Sequence, residues 1–399
     1  MINTWTRANQ ILPGGNSLFS KHPDRYCPGQ WPPYYDRADG IAIYTPDGKK
    51  YLDFSIMSAG TNTLGYCDPD VDNAVHEAIF KGNVSTLNCP EEVELAEMLL
   101  KLNPGMDMVR FGRGGNDACQ IALRIAREYS GKQRFAICGY HGWEVGHPPQ
   151  LDPFCYPFEY GNARPLEDVL PDIGAIIMEP VRSRPADIEF LNMVRQMADA
   201  FSIPLIFDEI TSGFRCNPSG YYQKIGIVPD LVCYGKAMGN GYAISAVVGK
   251  ETFMEKARGT FISSTPWSER IGYAAGIATL AKMDRTQAQK RMCAVGNAVK
   301  SAWREAGDGA GLDFEITGLD PLATFAFTDD PDRVRITTFT QEMLKRGYLA
   351  SGQFYASIMH SGAEIKKYSA AVNEVFCDIS SGRVKLVGEP ALAGFRRLA

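Results

Sequence analysis

The chain has 399 residues, of which 45% are hydrophobic and 22% charged, and its formal net charge is -5 at pH 7. This composition is typical of a globular protein, and the length predicts two or three domains of about 150 residues each. The modest charge argues against a nucleic-acid-binding protein, which would carry a basic face. No segment approaches the roughly 18 apolar residues of a membrane span, and the first residues lack the apolar core of a signal peptide. We therefore expect no membrane association and a cytoplasmic location.

The ten cysteines are scattered singly along the chain, and no CxxC pair occurs. In a chain of this length, that spacing is typical of reduced thiols in a cytoplasmic protein. A disulfide framework or a structural zinc site would need cysteines at close, regular spacing. We therefore expect neither.

The predicted elements divide the sequence into three parts. Residues 1–50 are rich in glycine and proline, which predicts turns and short strands in an N-terminal arm belonging to a smaller domain. Residues 51–284 alternate between helical and short apolar segments, a pattern that predicts a large α/β domain with a mostly parallel central sheet. Residues 285–399 follow a helix–strands–helix pattern, which predicts a smaller α+β domain. Continuous apolar runs predict buried strands at MVRF, RFAICG, AIIMEPV, PLIFDEI, LVCYG and ISAVVG.

The stretch FGRGGND follows the first of these strands and leads into an amphipathic helix predicted for Ala118–Tyr129. Asn116 or Asp117 is suited to cap that helix. Because free N–H groups and the helix dipole both point toward its start, the start is a candidate anion site. The alternatives are an ordinary βα turn and a dinucleotide-binding fingerprint, in which Asp117 would occupy the place of the third glycine.

Aromatic residues follow the strand RFAIC in the stretch GYHGW. Open α/β sheets bind ligands at the carboxyl ends of their strands, so Tyr140 is placed to stack on a flat ring. The alternative is that Tyr140 and Trp143 cover the sheet edge, with His141 as a hydrogen-bonded core histidine.

Acidic residues end two of the apolar strands. Asp208 and Glu209 lie in PLIFDEITSGFR, and Glu179 ends AIIMEP. A buried carboxylate is unfavourable unless a cation or a donor compensates it. Adjacent acids at the carboxyl end of a strand therefore indicate a functional role. The alternative is structural, with one acid capping the next turn or pairing with Arg215.

Lys236 follows the strand LVCYG, and the GNG sequence after Met238 lets the backbone pass close to a ligand. A desolvated lysine amine is a good imine-forming nucleophile. The alternative is a lysine that extends from a loop into solvent. Taken together, the anion site, the aromatic, the buried acid and the amine match the needs of pyridoxal 5′-phosphate (PLP).

The chain resembles the class III aminotransferases of PLP fold type I, and within them the glutamate-1-semialdehyde aminomutase-like branch. The resemblance extends nearly from end to end. The stretches that carry it are LPGGNSLFSK, DGKKYLDF, VRFGRGGNDACQIALRIAR, GYHGW, IIMEP, IFDEITSGFR, PDLVCYGKAMGNGYAISAVVG and SSTPWSE. The combination of DEITSGFR with a lysine about one βα unit later is highly specific. The resemblance implies the fold type, and PLP as the cofactor.

The resemblance also implies the roles of the central residues. Lys236 would form a Schiff base with the cofactor, the internal aldimine, and then move the proton between the substrate carbon and C4′. Asp208 would keep the pyridine nitrogen protonated. Glu179 and Glu209 would orient Asp208 and neighbouring polar groups.

Further contacts to the cofactor are implied by position. Ile210 would pack on one face of the ring, and Tyr140, near His141, on the other. The implied phosphate-binding residues are Gly114, Gly115, Asn116 and Thr265. Because family members lend that threonine across a dimer interface, we expect a homodimer with shared active sites.

The sequence departs from the family pattern at three places. Residues 114–118 replace the usual Ser-Gly-Thr-Glu-Ala phosphate loop, so a hydroxyl is lost. Ser20 and Lys21 stand in the region where the aminomutase carries a carboxylate-binding arginine. The aminomutase's Gln-Phe-Glu segment is Gln353–Tyr355 here. Position in the resemblance predicts the substrate contacts Lys21, Trp31, Trp143 and Tyr355.

We interpret the sequence as a PLP-dependent aminotransferase that moves an amino group from an amino donor to a keto or aldehyde acceptor. A PLP-dependent aminomutase or racemase is the alternative that keeps the cofactor. A non-catalytic homologue is a more remote alternative, because a scaffold has no need to bury the Lys236–Asp208 pair. An NAD-linked oxidoreductase is disfavoured by the incomplete dinucleotide fingerprint.

Overall fold

The computed structural model describes residues 4–145, 152–181 and 185–392. Within these ranges the chain packs into two compact units, a first unit of residues 4–68 and 290–392 and a second unit of residues 69–289. The domain boundaries predicted at 50/51 and 284/285 stay predictions. None of the helices in the described ranges combines the length and the apolar composition that a bilayer span requires.

The strands, in chain order, are β1 (Arg37–Asp39), β2 (Ala42–Tyr44), β3 (Lys50–Phe54), β4 (Met108–Gly112), β5 (Arg134–Cys138), β6 (Cys155–Pro157), β7 (Ile173–Met178), β8 (Leu205–Asp208), β9 (Leu231–Tyr234), β10 (Ser245–Gly249), β11 (Phe314–Thr317), β12 (Leu322–Phe327), β13 (Tyr348–Ala350) and β14 (Gln353–Tyr355). The helices are α1 (Thr4–Ile11), α2 (Met57–Gly60), α3 (Pro69–Phe80), α4 (Glu91–Leu102), α5 (Gly115–Ser130), α6 (Arg164–Glu167), α7 (Ile188–Ala200), α8 (Tyr221–Ile225), α9 (Glu251–Met254), α10 (Arg270–Thr286), α11 (Ala288–Ala310), α12 (Val334–Lys345) and α13 (Gly362–Ser380).

The central sheet of the second unit has the strand order β4-β10-β9-β8-β7-β5-β6. Its strands from β9 to β6 are parallel neighbours, whereas β10 runs antiparallel to both β4 and β9. These two reversals make β4 parallel to β9, so the carboxyl ends of β4, β9, β8, β7 and β5 lie at the same edge. The six apolar runs predicted as strands occur as β4, β5, β7, β8, β9 and β10, and the mostly parallel sheet is confirmed.

The core of the second unit is built on this sheet. Every residue of β7, β8, β9 and β10 is buried, as expected for strands covered on both faces. The helix α5 has an apolar face on which Ala118, Ile121, Ala122 and Ile125 are buried. It begins three residues earlier than predicted and ends at Ser130, and the C-cap that follows is Gly131, whose left-handed φ of 69° suits this position.

The first unit contains two smaller sheets. One has the order β1-β2-β3-β13, with β3 and β13 parallel, and the other joins β11, β12 and β14 in antiparallel pairs. Phe325 of β12 lies edge-on to Phe339 of α12 and to Phe376 of α13, with centroid distances of 5.2 and 5.6 Å. Aromatic contacts of this geometry stabilise the packing of the two helices on the strand.

Candidate active site

The carboxyl edge of the central sheet gathers the residues that the sequence singled out in the second unit. They are Tyr140 and His141 after β5, Glu179 after β7, Asp208 and Glu209 at the end of β8, and Lys236 after β9. The helix α5 starts at the same edge, shortly after β4. Open α/β sheets bind their ligands at this edge, so the candidate site lies where the topology favours one.

Asp208 is buried, and both of its carboxylate oxygens accept hydrogen bonds. Oδ1 accepts from the backbone N–H of Ile210 at 2.9 Å. Oδ2 lies 2.7 Å from Nδ1 of His141 and accepts from the thiol of Cys119 at 3.4 Å. The other ring nitrogen of His141, Nε2, lies 3.1 Å from the carbonyl oxygen of Cys138. Both ring nitrogens therefore face acceptors, the arrangement that suits a protonated imidazole.

Electrostatics favour the charged form of this pair. Burial alone would oppose ionisation of both groups. The hydrogen bond and charge of His141 nevertheless hold the pKa of Asp208 below its usual value, and the hydrogen bond to Asp208 raises the pKa of His141. Asp208 is therefore a carboxylate at neutral pH, fixed in position by a buried cation.

Lys236 is the first residue of a 3₁₀ turn after β9, and its φ is 31°. Residues with side chains rarely adopt this left-handed region, and such strain is concentrated at functional sites. The amine Nζ donates a hydrogen bond to Oγ1 of Thr211 at 2.7 Å. Its positive charge also contributes to the lowered pKa of Asp208. The amine and the carboxylate are thus close enough to interact at the end of β8.

Ile210 lies between the start of α5 and the residue before Lys236. A Cβ added at Gly115 would approach Cγ2 of Ile210 to 2.9 Å, and one added at Gly235 would approach its Cδ1 to 3.1 Å. The two glycines therefore leave just enough room for this side chain. Its position is fixed by backbone on both sides.

The start of α5 is organised by Asp117. Its Oδ2 accepts the backbone N–H groups of Arg113 and Gly114 at 2.8 and 2.9 Å, and the indole N–H of Trp267 at 3.2 Å. The N-cap itself is Gly114, so the predicted cap at Asn116 or Asp117 is wrong by two or three residues. An acidic residue in the first helical turn still complements the helix dipole.

Asn116 contacts the loop after β5 instead of capping the helix. Its Nδ2 donates to Oε2 of Glu144 at 2.9 Å, and its Oδ1 accepts from the N–H of Glu144 at 3.2 Å. Gly142 has a φ of 105°, and a Cβ there would lie 2.4 Å from Oδ1 of Asn116. The loop and the helix start therefore meet through a residue that must be glycine.

Glu179 supports the same loop from β7. Its Oε2 accepts the backbone N–H of Tyr140 at 3.2 Å, and a Cβ at Gly139 would lie 2.7 Å from that oxygen. The carboxylate of Glu179 thus fixes the backbone on which Tyr140 and His141 stand. Tyr140 is half-buried, and His141 is buried.

Glu209 forms hydrogen bonds with residues of the segment that follows β8. Its Oε2 accepts from the hydroxyl of Ser212 at 2.5 Å, and its Oε1 from the N–H of Tyr222 at 2.8 Å. Burial raises the pKa of Glu209 to about 7, although these hydrogen bonds oppose the shift. The side chain ties the loop to the start of α8.

The remaining predicted contacts are distributed over both units. Lys21 is exposed, Trp31 stacks on Tyr26 at a centroid distance of 4.2 Å, and Tyr355 is half-buried in β14, all in the first unit. Trp143, in the second unit, is 71% exposed. Thr265 is exposed in the second unit, at the start of a 3₁₀ turn. The roles proposed for these residues stay predictions.

Three residues of the site have no counterpart among the sequence-based assignments. Thr211 accepts from Lys236, Cys119 donates to Asp208, and Trp267 donates to Asp117. Thr211 lies within the DEITSGFR stretch, which carries the family resemblance, so the sequence indicated that this position is near the site. Cys119 and Trp267 also stand within stretches that carry the family resemblance, but their partners lie 89 and 150 residues away in the chain, so the local sequence does not indicate these contacts.

The residues present fit PLP. An ionised carboxylate, a half-buried amine, a half-buried aromatic and a glycine-bounded helix start lie together at one sheet edge. These are the groups that a pyridine nitrogen, an aldehyde, an aromatic ring and a phosphate respectively require. The contact between Gly115 and Ile210 provides an independent constraint, because a larger residue would close the space next to the helix start.

Comparison with known proteins identifies the family. The model of the aminotransferase class-III family matches residues 28–142 and 162–352. The 3-aminobutyryl-CoA aminotransferase of Cloacimonas acidaminovorans is 33% identical, over 82% of this chain and 84% of its own length. A glutamate-1-semialdehyde 2,1-aminomutase of Nitratidesulfovibrio vulgaris is 32% identical, over 88% of this chain and 93% of its own length. The FumI protein of Sphingopyxis sp. MTA144, solved in its PLP internal aldimine form, superposes with a TM-score of 0.90 at 25% identity, covering 97% of this chain and 98% of that one.

The fold and site define a PLP-dependent transferase of fold type I. The chain belongs to the class-III aminotransferase family. The predicted fold class, cofactor and aminotransferase activity are confirmed at this level.

Proposed function

We propose that Lys236 and Asp208 carry the reaction of this aminotransferase. The observation that supports the proposal is the convergence of the Lys236 amine and the ionised Asp208 carboxylate at the end of β8. A scaffold protein has no use for a buried carboxylate held ionised by a buried histidine, since that arrangement costs desolvation energy.

Each residue would act on a defined part of the cofactor. PLP, when bound, supplies an electron sink for the carbanion that forms on the substrate. Asp208 would keep the ring nitrogen protonated, with His141 and Cys119 holding the carboxylate in place. Lys236 would hold the aldehyde carbon through Nζ and, once displaced by the amino donor, move the proton as a general acid and base, a role typically worth about 10² to 10⁴ in rate.

Other residues would position the ring and the phosphate. Tyr140 would stack on one ring face, and Ile210 would pack on the other. The N–H groups at the start of α5 would hold the phosphate, since helix N-termini favour anions. The residues proposed for that phosphate site are Gly114, Gly115, Asn116 and Thr265.

The donor and acceptor are best sought among compounds whose amine is not on the α-carbon. The support is the 33% identical relative, whose name specifies a 3-amino acyl substrate. A first panel should therefore pair 3-amino acids and 3-amino thioesters with 2-oxoglutarate and pyruvate, with L-glutamate and L-alanine as α-amino comparisons. We propose Lys21, Trp31, Trp143 and Tyr355 as the residues that contact these substrates.

The test uses purified protein and its Lys236→Ala variant. We expect the natural chain to show the yellow colour of bound cofactor, with an absorbance band that changes when an amino donor is added. Lys236→Ala should lose that band and full transamination, whereas Lys256→Ala, at an exposed lysine of the same unit, should behave as the natural chain does. Full transamination by Lys236→Ala would refute the assignment.

An aminomutase is the second candidate, and the 32% identical relative of that activity favours it. Incubation with an amino-aldehyde substrate in the absence of an external donor separates the two candidates. Turnover without a keto-acid product would favour the aminomutase, whereas dependence on a keto or aldehyde acceptor would favour the aminotransferase.

We also propose a cytoplasmic homodimer in which Thr265 of one chain completes the phosphate site of the other. The support is the resemblance of SSTPWSE to the family segment with that role, and the exposure of Thr265. Ten free cysteines, five of them buried, agree with a reducing compartment. Sedimentation should give a dimer. In a mixture of Lys236→Ala and Thr265→Ala chains, hybrid dimers should contain one site with both natural residues and recover activity.

A further inference from the structure

A cavity of about 270 Å³ lies within the first unit, between the turn at Arg25, the strand β12, the start of α12 and the segment 351–353. One water occupies about 30 Å³ in the liquid, so the cavity is large enough for a small organic molecule. The lining includes residues 324–327 of β12 and the charged residues Arg25, Asp330 and Arg333.

Arg25 supplies the first guanidinium of this lining. It ends a 3₁₀ turn, Pro23–Arg25, and its guanidinium carbon lies 4.8 Å from the ring centroid of Phe19. Its Nε is buried and has no acceptor among the residues that the structure describes. Arg25 also lines the cavity, and an oxyanion there would offer an acceptor to the terminal N–H groups of its guanidinium.

Arg333 supplies the second guanidinium. It is half-buried at the N-cap of α12, with a left-handed φ of 59°, and its Nε donates to the carbonyl oxygen of Ala391 at 3.1 Å. Burial lowers the pKa of Arg333, and the nearby charge of Arg25 lowers it further. The two cations therefore repel one another across the cavity, and an anion between them would relieve the repulsion.

Asp330, the acidic residue of the cavity lining that the structure describes, does not neutralise both Arg25 and Arg333. The two oxygens of Asp330 accept the backbone N–H groups of Arg335 and Ile336, each at 2.9 Å, at the start of α12. Over the described ranges, no carboxylate forms an ion pair with Arg25 or Arg333 within 4.0 Å. The lining therefore contains two guanidiniums and one carboxylate, and its net charge is positive.

We propose that this cavity is a binding site for a small organic oxyanion, carrying a carboxylate or a phosphate group, with the guanidiniums of Arg25 and Arg333 as its donors. A guanidinium binds either group through two parallel N–H bonds. The volume accommodates the organic part of the ligand beside β12. This proposal does not depend on the reaction proposed at the sheet edge of the second unit, and it is tested separately.

The test is a calorimetric titration of the PLP-loaded protein at low salt, so that the proposed phosphate site of the cofactor is already filled. Inorganic phosphate is one probe and succinate the other, and the comparison tells which group the site prefers. We expect saturable binding of at least one probe that weakens as sodium chloride is added, because salt screens the attraction between the probe and the two half-buried arginines.

Variants locate the binding. Arg25→Gln and Arg333→Gln should each weaken the affinity about ten-fold or more, as expected for the loss of a charge-assisted pair of hydrogen bonds. The matched control is Arg304→Gln, which removes the same charge from an exposed position on α11 and should leave the affinity unchanged. Because Arg333 also caps α12, Arg25→Lys serves as a milder second variant, with an affinity between those of the natural chain and Arg25→Gln.

Two results would overturn the proposal. One is the absence of saturable binding for both probes at low salt. The other is binding that Arg25→Gln leaves as strong as Arg304→Gln does. If Arg333→Gln fails to fold, the Arg25 pair of variants decides the question alone. The cofactor absorbance band reports throughout whether each variant keeps its fold in the second unit.

Discussion

Asp208 and His141 form a buried ion pair at the carboxyl edge of the central sheet, with Oδ2 and Nδ1 2.7 Å apart. Each is brought to the pair by a different strand, β8 for the acid and β5 for the base. Because both side chains are almost completely excluded from solvent, removing one partner leaves an uncompensated charge in the core. Such losses are large, typically about 3 to 5 kcal/mol.

The first prediction concerns that pair. His141→Ala should lower the free energy of unfolding by about 3 kcal/mol or more, measured by urea denaturation of the cofactor-free protein. It should also weaken PLP affinity, because the pKa of Asp208 would no longer be held down by its partner. His141→Asn keeps an N–H donor near the position of Nδ1 and should retain part of both properties. Equal losses in the two variants would show that the hydrogen bond to Asp208 is not the cause.

The second prediction concerns the hydrogen bond from Lys236 to Thr211. Thr211→Val removes the acceptor, and we expect kcat to fall about ten-fold, since one net hydrogen bond is worth about 1 to 1.5 kcal/mol. KM should change little if the bond positions the amine and does not bind substrate. Thr211→Ser keeps the hydroxyl and is the matched control. An unchanged kcat in Thr211→Val would argue that the amine is positioned by other contacts.

The third prediction is a pH dependence from Glu209. Its pKa in the folded protein is about 7, above the ordinary value of 4.5, so between these values the folded state binds more protons than the unfolded state. Its contribution to stability is therefore complete below about pH 4.5 and is lost as the pH rises through 7. The full shift corresponds to about 3 kcal/mol at 1.36 kcal/mol per unit.

Glu209→Gln tests this dependence, since the amide keeps an acceptor for the N–H of Tyr222 and does not ionise. Urea denaturation at pH 5 and pH 8 should show a smaller loss of stability in the variant than in the natural chain. A parallel decline in both proteins would assign the effect to other groups.

The fourth prediction concerns Gly142. An alanine there combines an unfavourable φ of 105° with a contact of 2.4 Å to Oδ1 of Asn116. We expect Gly142→Ala to displace Asn116 and to reduce PLP affinity, measured by cofactor titration. Gly161→Ala is the matched control, because Gly161 has a φ of 88° and no atom within 4 Å of the added Cβ. Gly161→Ala should lower the free energy of unfolding only through the unfavourable φ, and its cofactor affinity should be unchanged.

Much of the fold was predictable because the strands of the central sheet are buried on both faces and read as continuous apolar runs. The acids and the lysine stood out because they interrupt such runs at one end, where burial makes a charge costly. The direction of β10 was not predictable. An apolar run looks the same whichever way the strand is traversed, and pairing with β4 and β9 decides its orientation.

Hydrogen bonds between side chains of different helices and strands were also not predictable from the sequence. The contact of Cys119 with Asp208 depends on how α5 rotates against β8, and the contact of Trp267 with Asp117 joins segments 150 residues apart.

The cap of α5 was placed at Asn116 or Asp117 because those residue types favour caps. The helix instead begins at Gly115, and Asp117 accepts the backbone N–H groups of Arg113 and Gly114.

The loop that carries Lys236 is held in the sheet at both of its ends. Tyr234 of β9 is paired with Ala246 of β10, and the next residue back, Ser245, is paired with Gly112 of β4. A hairpin anchored in this way resists translation as a unit. Because the sheet fixes both ends of this loop, we expect the Lys236 amine to change position mainly through torsions of its own aliphatic side chain.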